Sequence, residues 1–175
     1  MRLKKLYLLG CSGLLFATAY PTQATSLDVT FTATLRETTC DMAIEGGSGT
    51  GQDNTIPIGS GGTVSLDKIV NGDSAAQATF KLKINECPDS LQGLKTTITG
   101  TKSGYSDYII VNGAGTADAA SYLGLTIARG SATDAPFIIN ATTDTGRIVW
   151  SSAEISAKEV SLVAALGETS KGKGT

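Results

Sequence analysis

Histidine is absent from the 175 residues of the sequence. Its absence removes the commonest general base of enzymes and with it the Ser-His-Asp arrangement for nucleophilic catalysis. Acidic side chains such as Asp118 and Asp134 lie among turn residues, where carboxylates more often make turn hydrogen bonds or stay solvated. The sequence therefore predicts a protein that is not an enzyme, with no catalytic residues and no cofactor.

Aromatic residues are few, at 6% of the chain, and no segment shows a convincing helical period. Only residues 116–122 are compatible with a turn of helix. Short segments of alternating or continuous apolar residues instead recur between turn signals, which is typical of a β-sandwich. The predicted strands lie at 63–67, 77–86, 94–101, 108–111, 123–128, 137–139, 147–150 and 159–166. The fold class predicted from this pattern is all-β.

The chain also lacks any excess of positive charge, since its formal net charge is -2. A protein that binds nucleic acid through its phosphates needs a basic surface. The basic residues of the first 24 positions make the remainder more acidic still. A nucleic-acid partner is therefore not expected.

The first residues have the features of a secretory signal. Residues 1–5 carry the positive charges, and residues 6–16 form an apolar segment that is too short to span a bilayer. Small residues place the predicted cleavage after Ala24, with Ala19 as the alternative. Cys11 ends a segment that resembles a lipoprotein box, but we interpret it as part of the removed signal. The expected organisation is a signal peptide at 1–24 and a single domain at 25–175.

Two cysteines, Cys40 and Cys87, remain in the exported part of the chain. An even number of cysteines in an oxidising compartment favours a disulfide. Such a bond would close a long loop and contribute about 4 kcal/mol in the chain-entropy model. The alternative is a metal-binding pair, but the sequence supplies no histidine and no CxxC pattern to complete a metal site.

The segment 27–35 alternates between apolar and polar residues without a break, which predicts a half-buried strand. One interpretation is an ordinary edge strand of the chain's own sandwich. A long exposed strand with an apolar face is an aggregation hazard unless it has a destined partner. We therefore expect this strand to enter the core of another molecule. The residues on its apolar face are Leu27, Val29, Phe31, Ala33 and Leu35.

Several of these features occur together in a known family. After the signal, an alternating strand leads to Cys40, a later strand ends in Asn-Glu-Cys-Pro at 85–88, and the segments Leu-Gly-Leu-Thr-Ile and Val-Ser-Leu-Val-Ala-Ala follow at 123–127 and 160–165. Over residues 27–167 the chain resembles a subunit of chaperone–usher fimbriae of the type 1 pilus kind. The order of the segments and the placement of the cysteines carry this resemblance.

The resemblance implies an incomplete immunoglobulin-like β-sandwich, a pilin fold that lacks its last strand. A periplasmic chaperone fills the open groove first, and the N-terminal extension of the next subunit then replaces it. The donor strand would lie at 25–36, with its five apolar residues in successive groove pockets; Ala33 stands where such donors usually carry Gly. The implied partners are neighbouring pilin subunits, the chaperone and an outer-membrane usher, and the protein would be exported through the periplasm to a cell-surface fimbrium.

The C-terminal segment 170–175 departs from the family, whose chains end in a strand of alternating small and aromatic residues with Tyr next to last. We expect that this strand is truncated here; a subunit defective in assembly is the alternative. The 15 residues between Ala24 and Cys40 resemble the short extensions of minor subunits, provided that cleavage follows Ala24. The expected function is that of a structural subunit that contributes to cell adhesion, and the alternatives are a receptor-binding tip adhesin or a chain-terminating minor subunit.

Two further residues have a functional and a structural interpretation. Asn140 begins a glycosylation sequon by pattern, but we interpret it as a turn residue. Trp150 could line a sugar site, yet a lone Trp after two β-branched residues is more often part of a core. The expected interpretation of both residues is structural.

Overall fold

The computed structural model describes residues 40–50, 53–88, 91, 93–111 and 120–175. Its strands in chain order are β1 (Asp41–Glu45), β2 (Ser48–Thr50), β3 (Asp53–Thr55), β4 (Gln77–Glu86), β5 (Lys95–Thr96), β6 (Leu123–Arg129), β7 (Ala132–Pro136), β8 (Ile148–Val149) and β9 (Glu159–Glu168). Two short helices, α1 (Leu66–Val70) and α2 (Ser152–Ala157), and a 3-10 turn at Ser74–Ala76 lie between the strands. The described part of the protein is thus mostly β.

A five-stranded antiparallel sheet has the order β1-β4-β9-β6-β7. Its central strand β9 pairs with β4 on one side and with β6 on the other, so that Leu162 lies between Phe80 and Arg129. Two small antiparallel sheets, β2-β3 and β5-β8, complete the strand pairing among the described residues. Because β1 and β7 are the outer strands, the long strands β4 and β9 are paired on both sides.

One face of the large sheet supplies most of the core. Alternation along β4 and β9 places every second side chain on this face, as period two requires. The buried residues are Phe80, Leu82 and Ile84 of β4, Val160, Leu162 and Ala164 of β9, Leu125 and Ile127 of β6, and Ile98, Ile139, Ile148 and Trp150 of the segments that cover them. The indole Nε1 of Trp150 donates to Oγ1 of Thr96 over 3.0 Å, which satisfies its polar group. The interpretation of Trp150 as a core residue is confirmed.

The opposite face of β1, β4 and β9 carries cross-strand ion pairs. Lys83 reaches Glu45 on β1 over 2.7 Å, and Lys81 reaches Glu159 on β9 over 2.8 Å. Such pairs contribute little at an exposed surface, but they favour one strand register over another. The alternation that the sequence predicts for 77–86 is therefore present, with apolar residues inside and charges outside.

The shorter predicted strands are only partly regular. Of 94–101, two residues belong to β5, and of 108–111 only Ile110 forms bridges, one to Lys102 and one to Leu125. The segment 137–139 adopts no strand, and 147–150 is reduced to β8. Their backbone groups are still bonded; for example, Phe137 N–H donates to the carbonyl of Ile127. The apolar runs indicated buried segments correctly, but they did not distinguish strands from extended connections.

The two short helices lie where the sequence shows no helical period. A strand was predicted at 63–67, but the chain turns into α1 at Leu66 and buries Ile69. In α2, Ser151 and Glu154 form a capping box in which each side chain bonds to the other's backbone. Both helices are too short to show a period, and capping rather than an apolar stripe defines α2. Of the turn of helix expected at 116–122, residues 116–119 lie outside the described residues.

Candidate functional site

A disulfide joins Cys40 to Cys87, with a Cα–Cα distance of 4.1 Å. Cys40 immediately precedes β1, and Cys87 immediately follows β4, where Asp41 pairs with Glu86. Antiparallel pairing brings the start of one strand beside the end of the other, so the two cysteines meet without any distant connection. The predicted disulfide is confirmed, and it fixes one end of the outer strand β1 to the body of the sheet.

The inner side chains of β1 are incompletely covered. Met42 and Ile44 pack against the core but remain half-buried. Their register partners on β4, Ile84 and Leu82, are only 6% and 7% exposed. The two strands carry the same kind of residue on the same face, and only the outer one keeps its apolar side chains partly in water. The β1 edge is therefore a place where a further apolar strand would increase burial.

Other half-buried apolar residues pack against the same core. They are contributed mainly by connections rather than by the long strands, and include Ile56, Val64, Leu94, Phe137, Ile155 and Leu166. Together with Met42 and Ile44 they make an incompletely covered apolar margin around the buried cluster. We call these half-buried residues the apolar margin, and we call strand β1 by itself the acceptor edge.

The segment 94–101 is held against residues 139–150. The carbonyl of Leu94 accepts from Trp150 N–H over 2.9 Å, and the carbonyl of Ile98 accepts from Asn140 N–H over 2.8 Å. The Asn140 side chain continues this pairing, because its Nδ2 donates to the carbonyl of Gly100 and its Oδ1 accepts from Gly100 N–H. This exposed amide takes the place of a backbone partner for Gly100.

Asn140 has a φ of 59°, the left-handed region that Asn tolerates better than most residues. The interpretation of this residue as a turn residue is confirmed. Sequence reasoning missed its hydrogen bonds to Gly100, which come from a segment 40 residues away. An Asn that directly follows an apolar run is a signal for a turn, but it does not identify the partner.

The segment after β9 is ordered by a carboxylate. Glu168 accepts from Gly172 N–H over 3.0 Å and from Gly174 N–H over 2.8 Å, and these bonds hold the pKa of its carboxyl below the ordinary value. The backbones of Ser121 and Thr175 then exchange two hydrogen bonds. As a result, residues 169–175 lie beside the start of β6.

The predicted donor residues Leu27, Val29, Phe31, Ala33 and Leu35 lie outside the described residues, as do the donor strand 25–36 and the signal 1–24. Asp118 lies outside them as well, whereas Asp134 is exposed on β7. Within the described ranges, no group of three or more cysteines or acids is placed to hold a metal ion. None of the helices in these ranges is long and apolar enough to cross a membrane.

The described residues thus form an antiparallel β protein with a disulfide-anchored outer strand and an incompletely covered apolar face. No family model matches the chain. It is, however, 33% identical over 156 residues to the uncharacterized fimbrial-like protein YadM of Escherichia coli (strain K12), an alignment that covers 86% of this chain and 80% of YadM. The chain therefore belongs to the fimbrial-like proteins of the chaperone–usher fimbrial subunit family.

Membership of this family confirms the resemblance found in the sequence. The family is not enzymatic, so the prediction that the chain is not an enzyme is confirmed as well.

Proposed function

We propose that this chain is a structural subunit of a surface fimbria that assembles by donor-strand exchange and contributes to cell adhesion. In this proposal residues 27–35 are the strand that the chain donates, and its acceptor edge receives the strand of a neighbour. Strand addition of this kind is already described for chaperone–pilin complexes. In this chain, residues 27–35 would be the donated strand and β1 would be the strand that receives the donor of a neighbour.

One observation carries the proposal, namely the unequal burial across the β1–β4 pair. Met42 and Ile44 remain half-buried while the partners Ile84 and Leu82 are buried. An outer strand of a finished sandwich normally has its inner side chains covered by the opposite sheet. Incomplete cover on the core face, beside a strand anchored by a disulfide, supports an added strand at this edge.

The proposed fold is an immunoglobulin-like sandwich that lacks one strand. The antiparallel order of the large sheet supports it, as does the second layer formed by 94–101 and 139–150. Among the described residues, the strands paired within that layer are the two-residue strands β5 and β8. A strand from a neighbouring subunit, added at the acceptor edge, would cover the apolar margin between the two layers.

The apolar face of 27–35 fits such a position. Burying its four large side chains contributes roughly 6 to 12 kcal/mol before ordering costs, at about 1.5 to 3 kcal/mol each. A slip of one residue would turn Asp28 and three threonines toward the core, so the register is strongly specified. Phe31 has the largest side chain of the set and is expected to contribute most.

The proposed route follows from the same family. Residues 1–24 direct export, a periplasmic chaperone covers the apolar margin until assembly, and an outer-membrane usher passes the subunit to the cell-surface fimbrium. The disulfide fits this route, because such bonds persist in the oxidising periplasm. The domain proper is 25–175, with the donor strand at its start.

The experiment compares two peptides of residues 25–36, one with Phe31→Asp and one with Thr30→Asp. Each is mixed with a chaperone-bound subunit, and the release of the chaperone is followed over time. Both substitutions add the same charge, but only Phe31 belongs to the apolar face. We expect the Thr30→Asp peptide to release the chaperone at nearly the wild-type rate and the Phe31→Asp peptide to release it far more slowly.

Equal rates for the two peptides would contradict the assignment of the apolar face. The same two substitutions in the full chain provide a second measurement. The Phe31→Asp chain should still bind its chaperone, because its acceptor edge is unchanged, but it should no longer join a preceding subunit. A Phe31→Asp chain that enters fimbriae as efficiently as Thr30→Asp would exclude the donor role.

A further inference from the structure

The large sheet has two outer strands, β1 and β7, and each has one side without a strand partner among the described residues. The backbone N–H and C=O groups on that side are a template for pairing with a further strand. Unless the two edges differ, a donated strand could add at either one. They differ in backbone pairing, in exposed side chains and in the cover over the neighbouring core.

The backbone of β7 is irregular. Ala128 and Arg129 are adjacent on β6, but their partners on β7 are Pro136 and Ala132. The three residues between those two partners therefore form a bulge. Pro136 in addition has no N–H to donate to a further strand. A strand laid along β7 would meet a bulge in its middle and a residue without an N–H at its end.

The exposed residues of β7 also differ from those of β1. Thr133, Asp134 and Ala135, at the centre of β7, are all exposed, and none carries a large apolar side chain. A charge in the middle of an outer strand opposes pairing with another chain, because it would have to lose water. On β1 the central residues 42–44 are half-buried, and the register shifts only at the start of the strand. The acceptor edge thus has an apolar, regular centre, whereas β7 has a charged, bulged one.

The core beside β7 is covered by a charged pair. Arg129, the last residue of β6, places its Cζ over the ring of Phe137, 5.8 Å from the centroid, and Phe137 belongs to the apolar margin. Its Nη1 donates to the carboxylate of Glu154 on α2, and its Nη2 donates to the carbonyl of Val149 over 2.7 Å. The side chains of Arg129 and Glu154 are each only 23% exposed. Charge-assisted and cation–π contacts hold this cover in place.

The core face of β1 has no comparable cover in the part of the chain that the structure describes. The ion pairs of β1, β4 and β9 lie on the face of the sheet opposite Met42 and Ile44. A donated strand could therefore reach these two side chains without displacing a charge. Beside β7 it would have to break the partly buried pair of Arg129 and Glu154, and the loss of one partner leaves the other charge unpaired.

We propose that β7 is a closed edge, and that Asp134, Pro136 and the Arg129–Glu154 pair are the specificity-determining residues that restrict strand addition to β1. This inference rests on the proposed function, because it concerns where a donated strand binds. Removing the charge and the proline from β7 should create a second strand-binding site on the same domain. A domain altered in this way would receive two donated strands at once.

The first test locates the bound strand on the unaltered chain. A peptide of residues 25–36 with benzoylphenylalanine in place of Phe31 is mixed with the full exported chain in complex with its chaperone, and the mixture is irradiated after the chaperone is released. We expect photo-linked residues on β1 and none on β7. Links to β7 would overturn the closed edge while the donor role stands. A peptide that links to neither edge would contradict the proposed function, and this inference with it.

The second test opens the edge. The edge variant carries Asp134→Val and Pro136→Val, which remove the charge and restore an N–H, and native mass spectrometry counts the peptides on each chain. The wild-type chain should bind one peptide in exchange for its chaperone. The edge variant should bind two, and it should also form a complex with chaperone and peptide together, because the proposed chaperone site lies on the apolar margin. Thr133→Val is the matched control: it adds an apolar side chain to β7 but keeps both determinants, so it should bind one.

The charged pair is tested in the edge variant. Arg129→Met with Glu154→Gln removes both charges, and Gln can still complete the capping box with Ser151. We expect the second peptide to bind about tenfold more tightly than it binds the edge variant alone. Lys95→Met, which removes a charge from an ion pair elsewhere, should leave its affinity unchanged.

The outcomes separate this inference from the proposed function. If the first peptide displaces the chaperone but neither variant acquires a second peptide, the named residues do not close β7 and the inference is wrong. A second peptide on the wild-type chain or on Thr133→Val would also overturn it. If the edge variant does not fold, the photo-linked positions on the wild-type chain still decide whether β7 is closed.

Discussion

Gly124 on β6 lies directly opposite Gly167 on β9, yet only Gly167 has room for a side chain. A Cβ on Gly124 would overlap Cγ2 of Ile109 and lie 2.6 Å from the carbonyl oxygen of Ile110, whereas one on Gly167 would meet nothing within 4 Å. The reason is the close approach of Ile110, whose backbone exchanges hydrogen bonds with Leu125. This glycine pair therefore offers a matched comparison within one strand pairing.

We expect Gly124→Ala to destabilise the protein by about 1 to 3 kcal/mol, since overpacking forces backbone shifts. Gly167→Ala should be neutral or stabilise it by about 0.5 to 1 kcal/mol, because alanine lowers the entropy of the unfolded chain. The urea midpoints of the two variants and the wild type give both values. Equal destabilisation by both substitutions would mean that Ile110 does not approach β6 as closely as described.

Asn140 offers a second comparison, since its side chain and its backbone can be changed separately. Asn140→Gly keeps the left-handed backbone but removes both hydrogen bonds to Gly100; Asn140→Ala also introduces strain at a φ of 59°. We expect a loss of about 1 kcal/mol for Gly and a larger loss, about 2 to 3 kcal/mol, for Ala. Urea unfolding measures the stability of both variants. If Asn140→Ala is more stable than Asn140→Gly, residue 140 does not have a left-handed backbone.

The sequence identified the long strands β4 and β9 because every second side chain along each of them is apolar and points into the core. The strand predicted at 77–86 has the same bounds as β4. The strand predicted at 159–166 corresponds to β9, which continues two residues further, to Glu168. It did not identify the pairing of 94–101 with 139–150, which is made partly through the Asn140 side chain. Periodicity records the environment of a face, whereas the partner of a short segment depends on tertiary contacts that no local pattern contains.

The candidate site was likewise predictable only in part. The two cysteines indicated a disulfide because the signal predicted at 1–24 implies an oxidising compartment and because their number is even. The sequence could not predict which residues form the acceptor edge. Met42 and Ile44 belong to a short segment, and its position at the edge of the sheet follows from the strand order. The contact between the rings of Tyr105 and Tyr122 was missed for a similar reason: the two residues are separated by a connection and meet only in the folded chain.

The ion pair between Lys83 and Glu45 makes a prediction about pH. Its hydrogen bond lowers the pKa of Glu45 and raises the pKa of Lys83. The Glu45 contribution is present above the pKa that this group has in the unfolded chain and is lost as the pH falls through its lower folded pKa. The Lys83 contribution is present below its unfolded pKa and is lost as the pH rises through its higher folded pKa.

We expect Lys83→Met to return the pKa of Glu45 toward its ordinary value, which an NMR titration of the side-chain carboxyl would show. Because both groups are exposed, overall stability should change little. Lys95→Met is the matched control. Lys95 pairs with Asp144 on another part of the surface, so removing its charge should leave the pKa of Glu45 unchanged. A Glu45 pKa that does not rise in the Lys83→Met variant would exclude the pair as the cause of the shift.

The disulfide makes the last prediction, because it anchors the acceptor edge. The loop between Cys40 and Cys87 spans 47 positions, so the chain-entropy model gives about 4 kcal/mol of stabilisation from the bond. We expect the double variant Cys40→Ser with Cys87→Ser to lose stability of this order, measured as a lower urea midpoint. Hydrogen exchange should further show β1 opening before β4, because β1 would then be held only by its pairing with β4 on one side. The reduced wild-type protein is the control, since it lacks the bond but keeps both side chains. If the reduced protein and the double variant protect the β1 amides as well as the oxidised protein does, the disulfide does not anchor this edge.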